Sequence, residues 1–204
     1  MIKVKLTNTG KRFNREWIFR HINYEFVAGK QYAITGANGS GKSTLLQVIA
    51  GSINYNEGSV EFTINDLQCP AEDHYTYTSF AAPYLELIEE MTTLEFLTFH
   101  RAFKPLTLSN EALLKIVQLQ NAANKEIRYF SSGMKQRLKL AQAFFSANPL
   151  LLLDEPTTNL DAEGIALYHQ LIREYGAQKL VIISSNDKQE YDFCEKVIEM
   201  ANYK

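Results

Sequence analysis

Gly36-Ala37-Asn38-Gly39-Ser40-Gly41-Lys42-Ser43-Thr44 is the stretch whose reading decides the fold. It fits G-x-x-x-x-G-K-S, with the short apolar run Tyr32-Ala33-Ile34 before it and the helical pattern Leu45-Leu46-Gln47-Val48-Ile49-Ala50 behind it. A strand, a glycine-rich loop and a helix in that order make a cradle for phosphate. Gly36, Gly39 and Gly41 permit positive φ and close backbone approach, so successive N–H groups, those of Asn38 and Ser40 included, converge on an anion. The helix N-terminus adds its partial positive charge. Lys42 is placed to reach the β- and γ-phosphates of a nucleotide, Ser43 to ligate Mg²⁺ and Thr44 to hydrogen-bond a phosphate oxygen. A chance glycine-rich turn explains the loop alone, but not the strand and helix that flank it.

A second constellation lies farther along, where Leu150-Leu151-Leu152-Leu153 ends in Asp154-Glu155. In a phosphate-loop protein such a strand is expected beside the loop, with its last residues next to the metal. Asp154 then serves Mg²⁺ through water, and Glu155 is the base that orients and deprotonates an attacking water. Taken in isolation, the two carboxylates also suit a helix N-terminus.

The chain has 204 residues, 46% of them hydrophobic, and reads as one domain over 1–204. A chain of that size buries roughly 70% of its unfolded surface. Its net charge of -2 gives no general pull towards nucleic acid or anionic lipid, so no nucleic-acid partner is expected. The Leu150–Leu153 run is far short of the ~20 apolar residues that cross a bilayer. Work at a membrane therefore needs a span from another chain. Met1-Ile2-Lys3-Val4-Lys5-Leu6 alternates like a strand and lacks the apolar core of a signal peptide. Cys69 and Cys194 are too few and too far apart for a metal or disulfide framework, and read as reduced cytosolic thiols. The four histidines are scattered in the same way.

Strands are expected at Lys3–Leu6, Asn23–Val27, Ser59–Ile64 and Thr76–Ala82, with a turn at Asn56-Glu57-Gly58. Pro83 stops the last of them. Thr92-x-x-Glu95 is a capping box ahead of one helix, and Ser109 with Glu111 opens another. Residues 84–131 therefore form a helical insertion. Then follow a helix from Ser132 to Ala147, the strand Leu150–Leu153, a helix from Ala162 to Tyr175 closed by Gly176, and the strand Leu180–Ser184. Alternating strands and helices make a parallel sheet with its ligand at the carboxyl edge.

Phe130-Ser131-Ser132-Gly133-Met134, followed by Lys135-Gln136-Arg137, resembles the L-S-G-G-Q signature of the ATP-binding subunits of ABC transporters. The resemblance covers essentially the whole chain. It implies an α/β fold of the P-loop NTPase, ABC ATPase type: a parallel-sheet core, an antiparallel β subdomain and the inserted α-helical subdomain 84–131. It also implies ATP and Mg²⁺ as cofactors, ATP hydrolysis, and a transmembrane permease as partner. Its place would be cytoplasmic, peripheral on the inner face of the membrane. Ser131 and Gly133 would contact the γ-phosphate bound to a second subunit, and a plain N-cap suits Ser131 as well. Pro156-Thr157-Thr158-Asn159-Leu160-Asp161 resembles the D-loop, with Asp161 at a head-to-tail dimer seam. Homodimer and heterodimer both remain open. In the family an aromatic of the first strands stacks on adenine. Phe13 has the distance for it, Trp17 is close by, and an ordinary core role is the alternative.

Two positions depart from the pattern. Ala82-Pro83-Tyr84 stands where the family has Pro-Gln, so the Q-loop glutamine that helps bind Mg²⁺ becomes Tyr84, and a phenol cannot reproduce both functions of an amide. Asn186-Asp187 stands where the family has His-Asp; Asn186 can hydrogen-bond a γ-phosphate oxygen but cannot carry charge near neutral pH. The expectation is slow hydrolysis with binding largely intact. The leading reading is an ATPase driving a permease, with export favoured by the signature and the short chain. Tyr84, Leu85, Leu87, Ile88, Phe96 and Phe99 are candidates for the docking groove. The alternatives are a weakly hydrolysing ATP-gated module and a soluble ABC ATPase without a permease.

Overall fold

In the computed structural model, which describes residues 1–204, the chain opens with two 12-residue strands, β1 (Ile2–Phe13) and β2 (Glu16–Val27). Both are longer than the alternation predicts, because positive φ at Asn8 and His21 and register shifts between Leu6 and Arg12 let the hairpin bend without ending. Next come β3 (Gln31–Thr35), the glycine-rich loop and α1 (Lys42–Ile49). After them β4 (Glu57–Ile64) and β5 (Leu67–Cys69) join the first hairpin in an antiparallel sheet of order β2-β1-β4-β5. The expected turn at Asn56-Glu57-Gly58 is already strand from Glu57. Gly58 lies at φ +79, where a Cβ would stand 2.2 Å from the Thr7 carbonyl oxygen.

A short 3₁₀ segment takes Thr76 and Tyr77 out of the expected strand, leaving β6 (Thr78–Ala81). Then follow α2 (Thr93–Phe103), α3 (Asn110–Ile116), α4 (Ser132–Phe144), β7 (Leu150–Asp154), α5 (Ala162–Leu171), β8 (Leu180–Ser184) and β9 (Lys196–Glu199). The capping box forms as read: the Thr92 hydroxyl accepts from the Glu95 N–H, and the Glu95 carboxylate accepts from the Thr92 N–H. Two helix ends differ. α4 stops at Phe144, where the following segment turns away to bond the Ala147 N–H to the Pro105 carbonyl. α5 loosens into a π-type turn over Ile172–Gly176, and Gly176 makes no left-handed cap because the chain stays right-handed through Ala177.

The second sheet is wholly parallel, in the order β6-β7-β8-β3-β9. β8 stands between β7 and β3. The pairing nevertheless sets Ile34, Ser184 and Asp154 level across three strands, so that the loop after β3 and the residues after β7 and β8 leave the sheet along one line. Every residue of β7 and β8 is buried, because the sheet divides two cores. Leu151, Leu153, Val181 and Ile183 face α4, α5 and the helices of 84–131, whereas Leu150, Leu152, Leu180 and Ile182 face α1 and the antiparallel sheet.

With both faces apolar, hydrophobic alternation does not select a register. Polar hooks at the amino edge do. Buried Asn148, just before β7, donates to the carbonyls of Thr76 and Thr78 at 2.9 and 3.0 Å. Lys179, just before β8, donates to the carbonyls of Ser146 and Asn148 at 2.5 and 2.7 Å. Asn148→Ala removes the side-chain donor to the Thr76 carbonyl and one of the two to the Thr78 carbonyl, which Lys104 Nζ also meets, and is expected to cost on the order of 1–2 kcal/mol, read as a lower urea midpoint. An unchanged midpoint would remove Asn148 as a register hook.

Candidate nucleotide site

The loop between β3 and α1 is held open by its glycines. Gly36, Gly39 and Gly41 all have positive φ, and at Gly41 (φ +99) a Cβ would meet Ile18 Cγ2 at 2.5 Å. No side chain caps α1, so its first N–H groups point at the same space as the loop amides. Buried Lys42 curls under the loop, its ammonium donating to the carbonyls of Gly36 at 2.8 Å and Ala37 at 3.3 Å. Asn38, Gly39, Gly41, Lys42, Ser43 and Thr44 line a cavity of about 250 Å³ with Ile18 and Glu155. The Ser40 side chain is buried beside it, and its hydroxyl has no partner.

Asp154 and Glu155 enter from β7. Asp154 is buried, and its Oδ1 has no hydrogen-bond partner. A buried carboxylate oxygen left so is costly unless a cation or ordered water meets it, so the donor set of Asp154 and Ser43 fits a hard divalent cation. Glu155 takes φ +41, unusual outside glycine, and its N–H donates to the Ser184 carbonyl at 2.9 Å. It also lines a neighbouring cavity of about 410 Å³ with Thr157, Asn186 and Glu190. Tyr84 lines a separate cavity with Lys135 and Lys139, and its phenol accepts a hydrogen bond from Gln47 Nε2 of α1 at 3.0 Å. Burial, reinforced by the Asp154 charge, pushes the Tyr84 pKa up to about 12.

Asn186 crosses to the phosphate loop, where its Nδ2 donates to Asn38 Oδ1 at 2.8 Å. The segment after Glu155 is anchored by Glu190, whose carboxylate accepts from the N–H and hydroxyl of Thr157 at 2.6 and 2.5 Å. Burial raises the Glu190 pKa. Asp161 caps α5 by accepting from the Gly164 N–H at 2.8 Å and pairs with Arg137 at 3.2 Å. Ser131 and Gly133 lie elsewhere. The Ser131 hydroxyl caps α4 by accepting from the Met134 N–H at 3.2 Å, and a Cβ at Gly133 would approach the Asn159 carbonyl at 3.1 Å. Together they line a cavity of about 570 Å³ that shares no residue with the phosphate-loop cavity.

A family model described as "ABC transporter" matches residues 19–158. The chain belongs to the ABC transporter family. It is 32% identical over 202 residues to "Uncharacterized ABC transporter ATP-binding protein YybJ" of Bacillus subtilis, covering 97% of this chain and 92% of that one. It is likewise 32% identical over 184 residues to "Cytochrome c biogenesis ATP-binding export protein CcmA" of Rhizobium etli, covering 87% and 85%. Other relatives carry "hemin import" in their names. The solved dimer of the ATP-binding cassette MJ0796 "bound to ADP and Pi" superposes with TM-score 0.81 at 25% identity, covering 96% of this chain and 93% of that one. The chain is an ATP-binding, ATP-hydrolysing subunit of this family.

Within this ABC subunit the phosphate loop, Asp154, Glu155 and Asn186 come together, Tyr84 touches α1 through Gln47, and Ser131 and Gly133 do not join them. Phe13 is half-exposed at the hairpin tip with Lys11 Nζ 4.8 Å from its ring centroid, while Trp17 packs against Gly10 and under Arg20 at 4.1 Å. Ile18 is the β2 residue that touches the loop. Leu87 and Phe96 are core rather than groove, since both point into the cluster that covers the sheet. Gln47 and Glu190 were not readable as site residues: one lies in a plain helical repeat, and the other is polar with no pattern around it. No helix is long and apolar enough to cross a membrane. Because Asn186 offers a neutral donor, Asn186→His is expected to raise MgATP turnover on the order of tenfold or more. Turnover no faster than wild type would show that asparagine does not limit the rate.

Proposed function

We propose that the residues converging at the carboxyl edge of the parallel sheet hold MgATP and cleave its γ-phosphate, and that the released energy drives a membrane permease. The observation that carries this reading is the level register of Ile34, Asp154 and Ser184, with Glu155 lining both the cavity of Lys42 and the neighbouring cavity of Asn186. In this reading the amides of Gly36 to Thr44 and the Lys42 ammonium bind phosphates, and Ser43 and Asp154 hold Mg²⁺, with Tyr84 beside them. Bound there, Mg²⁺ neutralises charge on the β- and γ-oxygens. Glu155 orients the attacking water and takes its proton, and Asn186 donates to the γ-phosphate oxygen. Phe13 is proposed to stack on adenine.

The separate cavity at Ser131 and Gly133 supports a two-subunit site: the N-terminal turn of α4 that lines it suits a γ-phosphate supplied by a second subunit. Residues 84–131, inserted between β6 and α4, are proposed to be the lobe that engages the permease. Tyr84, Ile88, Phe99, Phe103 and Tyr129 are its exposed large apolar side chains. The subunit would then sit on the inner face of the membrane, and export is the proposed direction.

A second reading, a nucleotide-gated module that hydrolyses slowly, is favoured by the Asn186–Asn38 contact, which puts a neutral amide where an imidazole belongs in relatives. Glu155→Gln decides between them. It is expected to reduce MgATP turnover at least about a hundredfold while retaining nucleotide binding and to accumulate an ATP-dependent dimer in light scattering. Turnover equal to wild type would remove Glu155 as the base, and a wild type already as slow as the variant would favour the gated module.

A further inference from the structure

Glu155 stands at φ +41, a backbone conformation that persists outside glycine only where neighbours over-determine it. Hydrogen bonds at three successive residues do so. The Glu155 N–H donates to the Ser184 carbonyl at 2.9 Å, and the Pro156 carbonyl accepts from Nε2 of buried Gln136, on α4, at 2.7 Å. Thr157 is held twice, because Glu190 Oε1 accepts both its N–H and its hydroxyl, at 2.6 and 2.5 Å. Thr157 is also the third corner of a turn that the Thr158 N–H closes onto the Glu155 carbonyl at 3.1 Å. Whatever fixes Thr157 therefore fixes the turn that begins at Glu155.

Glu190 is well placed to be that support. It ends a short 3₁₀ turn, Lys188–Glu190, in which its N–H donates to the Asp187 carbonyl at 3.0 Å and the Asp187 carboxylate accepts from the Gln189 N–H at 2.9 Å. Fully buried Tyr168, on α5, donates its phenol to the Glu190 carbonyl at 2.7 Å. Asn186 directly precedes this turn. One buried carboxylate thus joins the loop that carries Glu155 to the loop that carries Asn186.

We propose that Glu190 is a positioning residue for hydrolysis: through Thr157 it keeps Glu155 in its left-handed conformation, facing the cavities it lines, at a fixed offset from Asn186. This rests on the reading of Glu155 as the base. Glu190 lines the cavity of Asn186 and not that of the phosphate loop, so its effect falls on turnover and spares nucleotide affinity. Misplacing a reacting group by about 1 Å costs up to about a hundredfold in rate.

The test is a double-mutant cycle in MgATP turnover, with affinity followed by the emission of Trp17, the one tryptophan, which adjoins Ile18 at the phosphate loop. Glu190→Ala is expected to lower kcat about tenfold or more with MgATP affinity as in wild type. Glu190→Gln, whose amide oxygen accepts from the same two donors, is expected to restore turnover. With Glu155→Gln already in place, Glu190→Ala is expected to cost nothing further, because the group it positions is gone. Wild-type turnover in Glu190→Ala, an equal loss of affinity, or a full second loss in the Glu155→Gln background would overturn the proposal. If Glu190→Ala does not fold, Thr157→Val, which removes the hydroxyl alone, takes its place in the cycle: a smaller loss of kcat that vanishes beside Glu155→Gln supports the positioning role, and one that persists there overturns it. Wild-type turnover in Glu155→Gln itself would instead overturn the reading of Glu155 as the base.

Discussion

The donors of Asn148 and Lys179 are the constraint on which the site depends. A strand buried on both faces is stable in several registers as far as apolar contact is concerned, since a shift of one residue exchanges leucine for leucine. Two side chains at the amino edge, buried Asn148 and half-buried Lys179, oppose that freedom, because each donates to two carbonyls in the observed register. Burial lowers the Lys179 pKa to about 8, and the two carbonyls meet its protons. With the amino edge pinned, Asp154 and Ser184 come level at the opposite edge.

That same double burial decides where chemistry is possible. No polar group along β7 or β8 reaches solvent until the strands end, so the exposed polar side chains at this edge, Glu155 and Asn186, come just past the sheet, while Asp154 ends β7 buried. The antiparallel sheet contributes less to this chemistry than its size suggests. Its direct contact with the loop is Ile18, which fits only because position 41 has no side chain. The helices of 84–131 pack on the other core and reach the site through the loop at Tyr84.

Much of this was legible in the sequence, for reasons that differ by element. The phosphate loop is readable because each residue in it answers a local demand of backbone geometry or phosphate charge. The capping box at Thr92 and Glu95 is readable because both partners lie within one turn. The order of the strands in the sheet, with β8 between β3 and β7, is not local information, since it is set by crossovers. The ends of α4 and α5 were overextended because long-range bonds end the former and a widening turn ends the latter. Gln47 and Glu190 stayed invisible for a related reason. Their partners, Tyr84 and Thr157, are 37 and 33 residues away, and nothing local marks a side chain whose role is to hold another in place.

Position 155 brings fold and chemistry into conflict. A carboxylate is held there on a backbone with φ +41, a conformation that costs a non-glycine residue of order 1 kcal/mol or more. Glycine would relieve that cost and leave the bond from the 155 amide to Ser184 intact. Selection for folding alone would therefore drift towards glycine at 155, and the persistence of glutamate there would require selection on the side chain. A chain in which this residue had relaxed to glycine would keep the loop, the sheet and the nucleotide cradle. It would be a sturdier protein that had given up the carboxylate proposed as its base.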